Sequence, residues 1–170
     1  MTEPQSPSAA PSPDDQAFVP SSEPNPVPAG VAFKADPDKW YYLRIMYQDD
    51  TGKTVTGRAY KIGPNPSTSF WDYMAVSQDD REGAKFKLHP DTDGWDKWEI
   101  DDGNYLSVKA TGWIYRSSAY PLGWKIVDGK LYNTYWSGAA GCQHNRFFVS
   151  DAYYMGQGLS PEFTCELVEA

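Results

Sequence analysis

From Asp102 to Ile126 the chain reads DGNYLSVKATGWIYRSSAYPLGWKI. Three short runs stand in it, Tyr105–Val108, Trp113–Arg116 and Trp124–Ile126, each rich in aromatic or branched apolar residues. Turn residues separate them. Runs of this length bounded by Asx and Gly read as strands, because such side chains suit a pleated, half-buried surface. Helical periodicity is hard to find anywhere after Trp40, and further turn pairs recur at Asp50-Thr-Gly52, Asp93-Gly94 and Asp128-Gly129. The pattern predicts an all-β barrel or sandwich.

Working outward, the stretch has weaker copies. Tyr105-Leu-Ser-Val108 is matched by Tyr73-Met-Ala-Val76 and more loosely by Phe147-Phe-Val149. Trp124-Lys-Ile126 is matched by Phe86-Lys-Leu88 and Cys165-Glu-Leu167, placing the second signatures 38 and 41 residues apart. Such spacing suggests three copies of a unit of about forty residues. The third copy lacks the closing strand that Trp95–Ile100 and Lys130–Trp136 supply to the others. Tyr41–Tyr47 is expected to fill that place, joining the first and last segments and leaving no open sheet edge. The first copy is irregular, with Ile62-Gly-Pro-Asn-Pro-Ser-Thr-Ser69 inserted before it.

This arrangement resembles a β-trefoil over residues 40–170, and the stretch Asp102–Ile126 resembles the fascin-type branch most. The resemblance implies a barrel of three unequal repeats and a binding role. The ricin-type branch carries Gln-x-Trp in each repeat. No glutamine here stands two before a tryptophan, so that branch's sugar-binding positions do not transfer. Another antiparallel β-barrel or sandwich is the alternative.

All seven tryptophans and all twelve tyrosines lie at or after Trp40, whereas nine of the fourteen prolines precede it. Residues 1–37 are rich in Pro, Ser and acids and poor in large apolar side chains, too poor to offset the entropy of ordering. They read as a disordered acidic tail that does not pack on the single all-β domain at 38–170. The chain carries net charge −8, with 15 basic and 23 acidic residues, which lacks the footprint needed to hold phosphates. Nucleic acid is therefore excluded as a partner, as is membrane insertion, since no run is long and apolar enough. No basic start leads into an apolar leader, so the expected location is cytoplasmic or reached by non-classical release. Cys142 and Cys165 pair once or stay as two buried thiols; the sequence leaves both open.

Alternation along strands sorts the aromatics. Trp98 shares a face with Ile100, and Trp124 with Ile126, so both point inward. Trp95 sides with Lys97 and Glu99 and is expected at the surface. Trp113 and Tyr115, with Tyr153 and Tyr154 at the matching place in the third copy, fit either surface sites or packing of a barrel cap. Tyr132 and Trp136 lie opposite Leu131, beside the small-residue stretch Ser137–Gly141. Asp101, Asp102 and Asn104 sit in a turn that either supplies hydroxyl acceptors or serves its own backbone. Aromatic rings beside carboxylates and amides are what sugar recognition uses. The candidate ligand-binding set is therefore Trp95, Asp101, Asp102, Asn104, Trp113, Tyr115, Tyr132, Trp136, Tyr153 and Tyr154.

No nucleophile elbow or phosphate loop occurs. Cys142-Gln-His144 lacks further ligands nearby, and Asp91-Thr-Asp93-Gly94 lacks the later acids of an EF-hand. No metal and no cofactor are expected. The leading expectation is a non-enzymatic, lectin-like module that presents exposed aromatics to a glycan or glycoprotein. A β-trefoil that binds a protein surface, filament or receptor is the alternative, and a glycan-acting hydrolase the third.

Overall fold

The structure is a computed structural model that describes residues 16–62, 72–79, 81, 83–146 and 151–170. It is all-β: strand accounts for 53%, and no α-helix occurs among the described residues. The strands are β1 (Trp40–Gln48), β2 (Thr54–Lys61), β3 (Met74–Ser77), β4 (Lys85–Pro90), β5 (Asp96–Ile100) and β6 (Tyr105–Val108). They continue as β7 (Ile114–Ser117), β8 (Gly123–Val127), β9 (Lys130–Asn133), β10 (Ala140–Asn145), β11 (Ala152–Gln157) and β12 (Thr164–Glu169). Most of the runs read from sequence fall on these strands. The exception is Phe147–Val149, which lies outside the described residues. β10 carries no strand signal in the sequence, because its Ala-Gly-Cys start imitates a loop.

All pairings are antiparallel within one strongly curled sheet. β1 pairs with β4, β4 with β5, β5 with β8 and β8 with β9. β12 lies against β9 and pairs with β1, setting Leu43 opposite Leu167 and Ile45 opposite Cys165. The expected junction of first and last segments therefore forms. Hairpins β2–β3, β6–β7 and β10–β11 stand off this course and meet one another. There Tyr154 is opposite Ala75, and single bridges link Tyr73 to Tyr115 and Trp113 to Gly156.

The core follows from strand alternation. β1 turns Tyr41, Leu43, Ile45 and Tyr47 inward and Arg44 and Gln48 outward. They join Phe86, Ile100 and Leu131 around Trp98 and Trp124, both buried as their faces predict. Each such side chain contributes about 1.5–3 kcal/mol on burial. Trp98 meets Phe86 edge-on at 5.6 Å, and the Trp124 indole donates to the Leu106 carbonyl at 2.9 Å.

A second apolar cluster fills the space between the three hairpins and decides for packing at three candidate ligand-binding positions that alternation left open. Trp113 is 1% exposed, Tyr154 0% and Tyr115 4%, packed with Tyr73 and Ala75. The reason is convergence, since aromatics on three separate hairpins turn toward one another.

The N-terminal segment also departs from expectation. Residues 1–15 lie outside the described residues, but 16–35 run along the domain instead of standing clear of it. Phe18 N donates to Val108 O at 3.0 Å, Asn25 N to Thr134 O at 2.8 Å and Phe33 N to Ile126 O at 2.8 Å. Phe18 and Phe33 are the two large apolar anchors, and both pack against the main core. A Pro-rich segment loses little entropy on docking, so two aromatics and a few backbone bonds suffice to hold it.

Candidate functional site

The β1–β2 turn is shaped by Asp49. Its carboxylate accepts from Thr51 N at 2.9 Å, Thr51 Oγ1 at 2.6 Å and Lys53 N at 3.1 Å, and these bonds hold its pKa below the ordinary carboxylate value. Gly52 takes φ +83, the left-handed conformation that closes the turn. Asp50 N is thereby aimed at the Tyr153 hydroxyl, which accepts at 3.0 Å.

Across from this turn, β10 presents His144. One ring nitrogen meets Asp50, and Nε2 meets Asp151 Oδ1 at 2.5 Å. The imidazole also stacks on Tyr153, with ring centroids 4.6 Å apart and planes 12° from parallel. Hydrogen bonds to the two carboxylates raise the His144 pKa, so the imidazolium is favoured and both nitrogens donate. Arg146 lies 3.9 Å from Asp50 on the outer side. The result is a clamp joining the β1–β2 turn, β10 and the start of β11.

Beside the clamp lies an open groove of about 390 Å³, lined by Tyr47, Asp49, Tyr60, Val76, Ser77, Gln78, Asp151, Ala152 and Tyr153. Its walls come from β1, β2, β3 and β11. It carries three phenols, two carboxylates, a hydroxyl and an amide. Burial pushes the Tyr47 phenol up to about 12, so it stays protonated and donates. Burial likewise pushes the Cys142 thiol up to about 12 and raises that of Cys165; both cysteines are free and neither is primed as a nucleophile. The two ring nitrogens of His144 are committed to carboxylates, so Cys142 and His144 do not form a zinc pair. Among the described residues no group of three metal-binding side chains occurs.

Of the residues expected to bind ligand, only Tyr153 lines this groove. Trp95 is 2% exposed, because the N-terminal segment covers the face that alternation turned outward. Trp136 is buried beneath Phe18 in the same way, with ring centroids 4.9 Å apart. Asp101 pairs with Lys61 at 2.9 Å, and Asp102 lies 3.6 Å from Arg116. Asp102 also accepts from Asn104 N at 3.0 Å, the turn chemistry foreseen for that triplet. Tyr132 is half-buried on β9 opposite Lys125, away from the groove. The groove's other members escaped sequence reading. Tyr47 and Tyr60 sit in ordinary strands, and in the neighbouring clamp His144 finds its partners 94 and 7 residues away. The one local signal is Asp50-Thr-Gly52, which reads only as a turn.

No family model, no curated protein and no solved structure matches the chain.

Proposed function

We propose that the protein is a non-enzymatic binding module for a hydroxyl-rich ligand, a short glycan, seated in the groove beside the His144 clamp. The observation that carries this is the groove's lining, where the phenols of Tyr47, Tyr60 and Tyr153 alternate with the acceptors Asp49 and Asp151 and the amide of Gln78. A volume of about 390 Å³ falls in the range of small-ligand sites. Vicinal hydroxyls both donate and accept, which matches mixed phenol and carboxylate walls. Recognition here runs through hydrogen bonds more than flat stacking, because His144 already covers one face of Tyr153.

Two further points support binding over catalysis and over protein docking. A glycosidase needs a carboxyl whose pKa is raised to serve as acid. In the groove Asp49 is shifted the other way, and the one described carboxyl pushed up, Asp72, is buried outside the groove. The exposed large apolar residues described are Val19, Val31, Tyr120 and Val168, spread over the N-terminal segment, a turn and β12. Four exposed side chains distributed over three elements are few for an interface core.

The same reading takes the domain as β-trefoil-like. In its favour, the strands fall into fours, β1–β4, β5–β8 and β9–β12. In each four the first and fourth lie together and the second and third form a hairpin.

Titrating the full chain with mono- and disaccharides by NMR and calorimetry tests the proposal. Resonances of Tyr60, Gln78 and Tyr153 should move, and Tyr60→Phe or Gln78→Ala should weaken binding about two- to tenfold, the worth of one hydrogen bond. If no saccharide at millimolar concentration moves these resonances, the proposal fails.

A further inference from the structure

The segment that covers Trp95 and Trp136 sits on them as a ligand sits in a site. Its course Pro20-Ser-Ser-Glu-Pro24-Asn-Pro26-Val-Pro28 is held extended by proline and makes no ladder with the sheet. The Trp95 indole donates to the Asn25 carbonyl at 2.9 Å, while Asn25 N donates to Thr134 O at 2.8 Å. Phe18 lodges against Tyr135 and Trp136, with centroids 5.4 and 4.9 Å away. An indole N–H aimed at the backbone carbonyl of a proline-rich strand, with rings on either side, is the general chemistry of polyproline-type recognition.

The fit is incomplete. A space of about 120 Å³ remains between Pro20 and Pro24 on one side and Trp95, Leu122 and Tyr135 on the other. An occupant that leaves room beside it is held less firmly than a core element, so it can be exchanged.

We propose that this aromatic groove is a binding site for a proline-rich extended segment, and that it accepts the same segment from a second copy of the chain. The occupant's identity follows from what the groove already holds: every copy carries both the site and the sequence that fits it. The connection to β1 is the short turn Asp36-Pro37-Asp38, closed by Lys39 N donating to Asp36 O at 3.2 Å. Opening that turn carries the segment away while each contact can be remade on a neighbour, the route by which arms are swapped between protomers. In the closed monomer the tether supplies a high effective concentration, so exchange emerges when the turn is cut or shortened. This site lies apart from the groove beside His144, so either proposal stands if the other falls.

The test uses the whole chain, folded first and then cut at a protease site placed within residues 36–38. A fluorescent peptide of residues 16–35 should bind the cut protein with micromolar Kd, replacing the native segment, and Trp95→Phe should weaken it about tenfold. A scrambled peptide of the same composition should not compete. In parallel, deleting Pro37 and Asp38 should convert the uncut monomer to a dimer, seen by light scattering. Loss of the segment without peptide rebinding would overturn the proposal. Loss of the cooperative thermal transition when it leaves would also do so, since it would make the segment part of the core. A folded, monomeric deletion variant would overturn the second-copy partner.

Discussion

Lys109→Met perturbs the buried pair beneath the hairpins and exposes how the groove's foundation is held. The Lys109 ammonium is 3.1 Å from Asp72, with side chains 5% and 11% exposed, and lies 4.1 Å above the Tyr115 ring. Burial already pushes the Asp72 carboxyl above its ordinary pKa, against the pull of Lys109 and Arg116. Methionine fills the space but removes the ammonium bonded to that carboxylate, leaving Arg116 as its remaining positive neighbour. Removing one partner of a buried pair costs about 3–5 kcal/mol. With an m-value of about 2 kcal/mol/M, the urea midpoint should fall by about 1.5–2.5 M at pH 7. The sign with pH is fixed by Asp72. Its folded pKa exceeds the unfolded one, so the folded state takes up the proton preferentially as pH falls through it. The cost should therefore shrink from pH 7 toward pH 5. Asp72→Asn in the Lys109→Met background should recover most of the loss at pH 7. A midpoint change under about 0.5 M, or one that is the same at both pH values, would refute this account of the pair.

Other consequences follow from the same geometry. His144→Gln should remove a stabilisation that is full below about pH 6.5 and is lost as pH rises through the raised folded pKa. The melting-temperature gap between wild type and variant should accordingly narrow from pH 6 to pH 9. Trp98→Ala empties a fully enclosed site against Phe86 and should cost about 3–5 kcal/mol in chemical denaturation. Gly123→Ala places a Cβ 2.5 Å from Thr134 Oγ1 and 2.6 Å from Trp95 Cβ. It should destabilise by about 1–3 kcal/mol and disturb the Trp95 fluorescence.

What was legible in the sequence was local. Tyr105–Val108 and Trp124–Ile126 announce themselves as strands, because a period of two and an Asx-Gly turn need no distant partner to be read. The inward faces of Trp98 and Trp124 followed from the same alternation. Asn104's part in a turn was equally local, since its backbone bond closes within two residues.

Alternation names the side of a strand on which a ring lies, but not what covers that side. Trp95 was placed on the outward face, yet residues 18–25 lie over it. For Trp113, Tyr115 and Tyr154 alternation leaves surface and cap packing equally possible, and the meeting of three hairpins encloses them. His144 shows in sequence only as half of a Cys-x-His pair, because its carboxylates arrive from the β1–β2 turn and the start of β11. Strand positions and the all-β class were set by the order of residues along the chain. Which aromatics are core, which are roofed by the chain's own N-terminal segment, and where a groove stays open depended on contacts between segments far apart in sequence. Those contacts exist only once the sheet has curled.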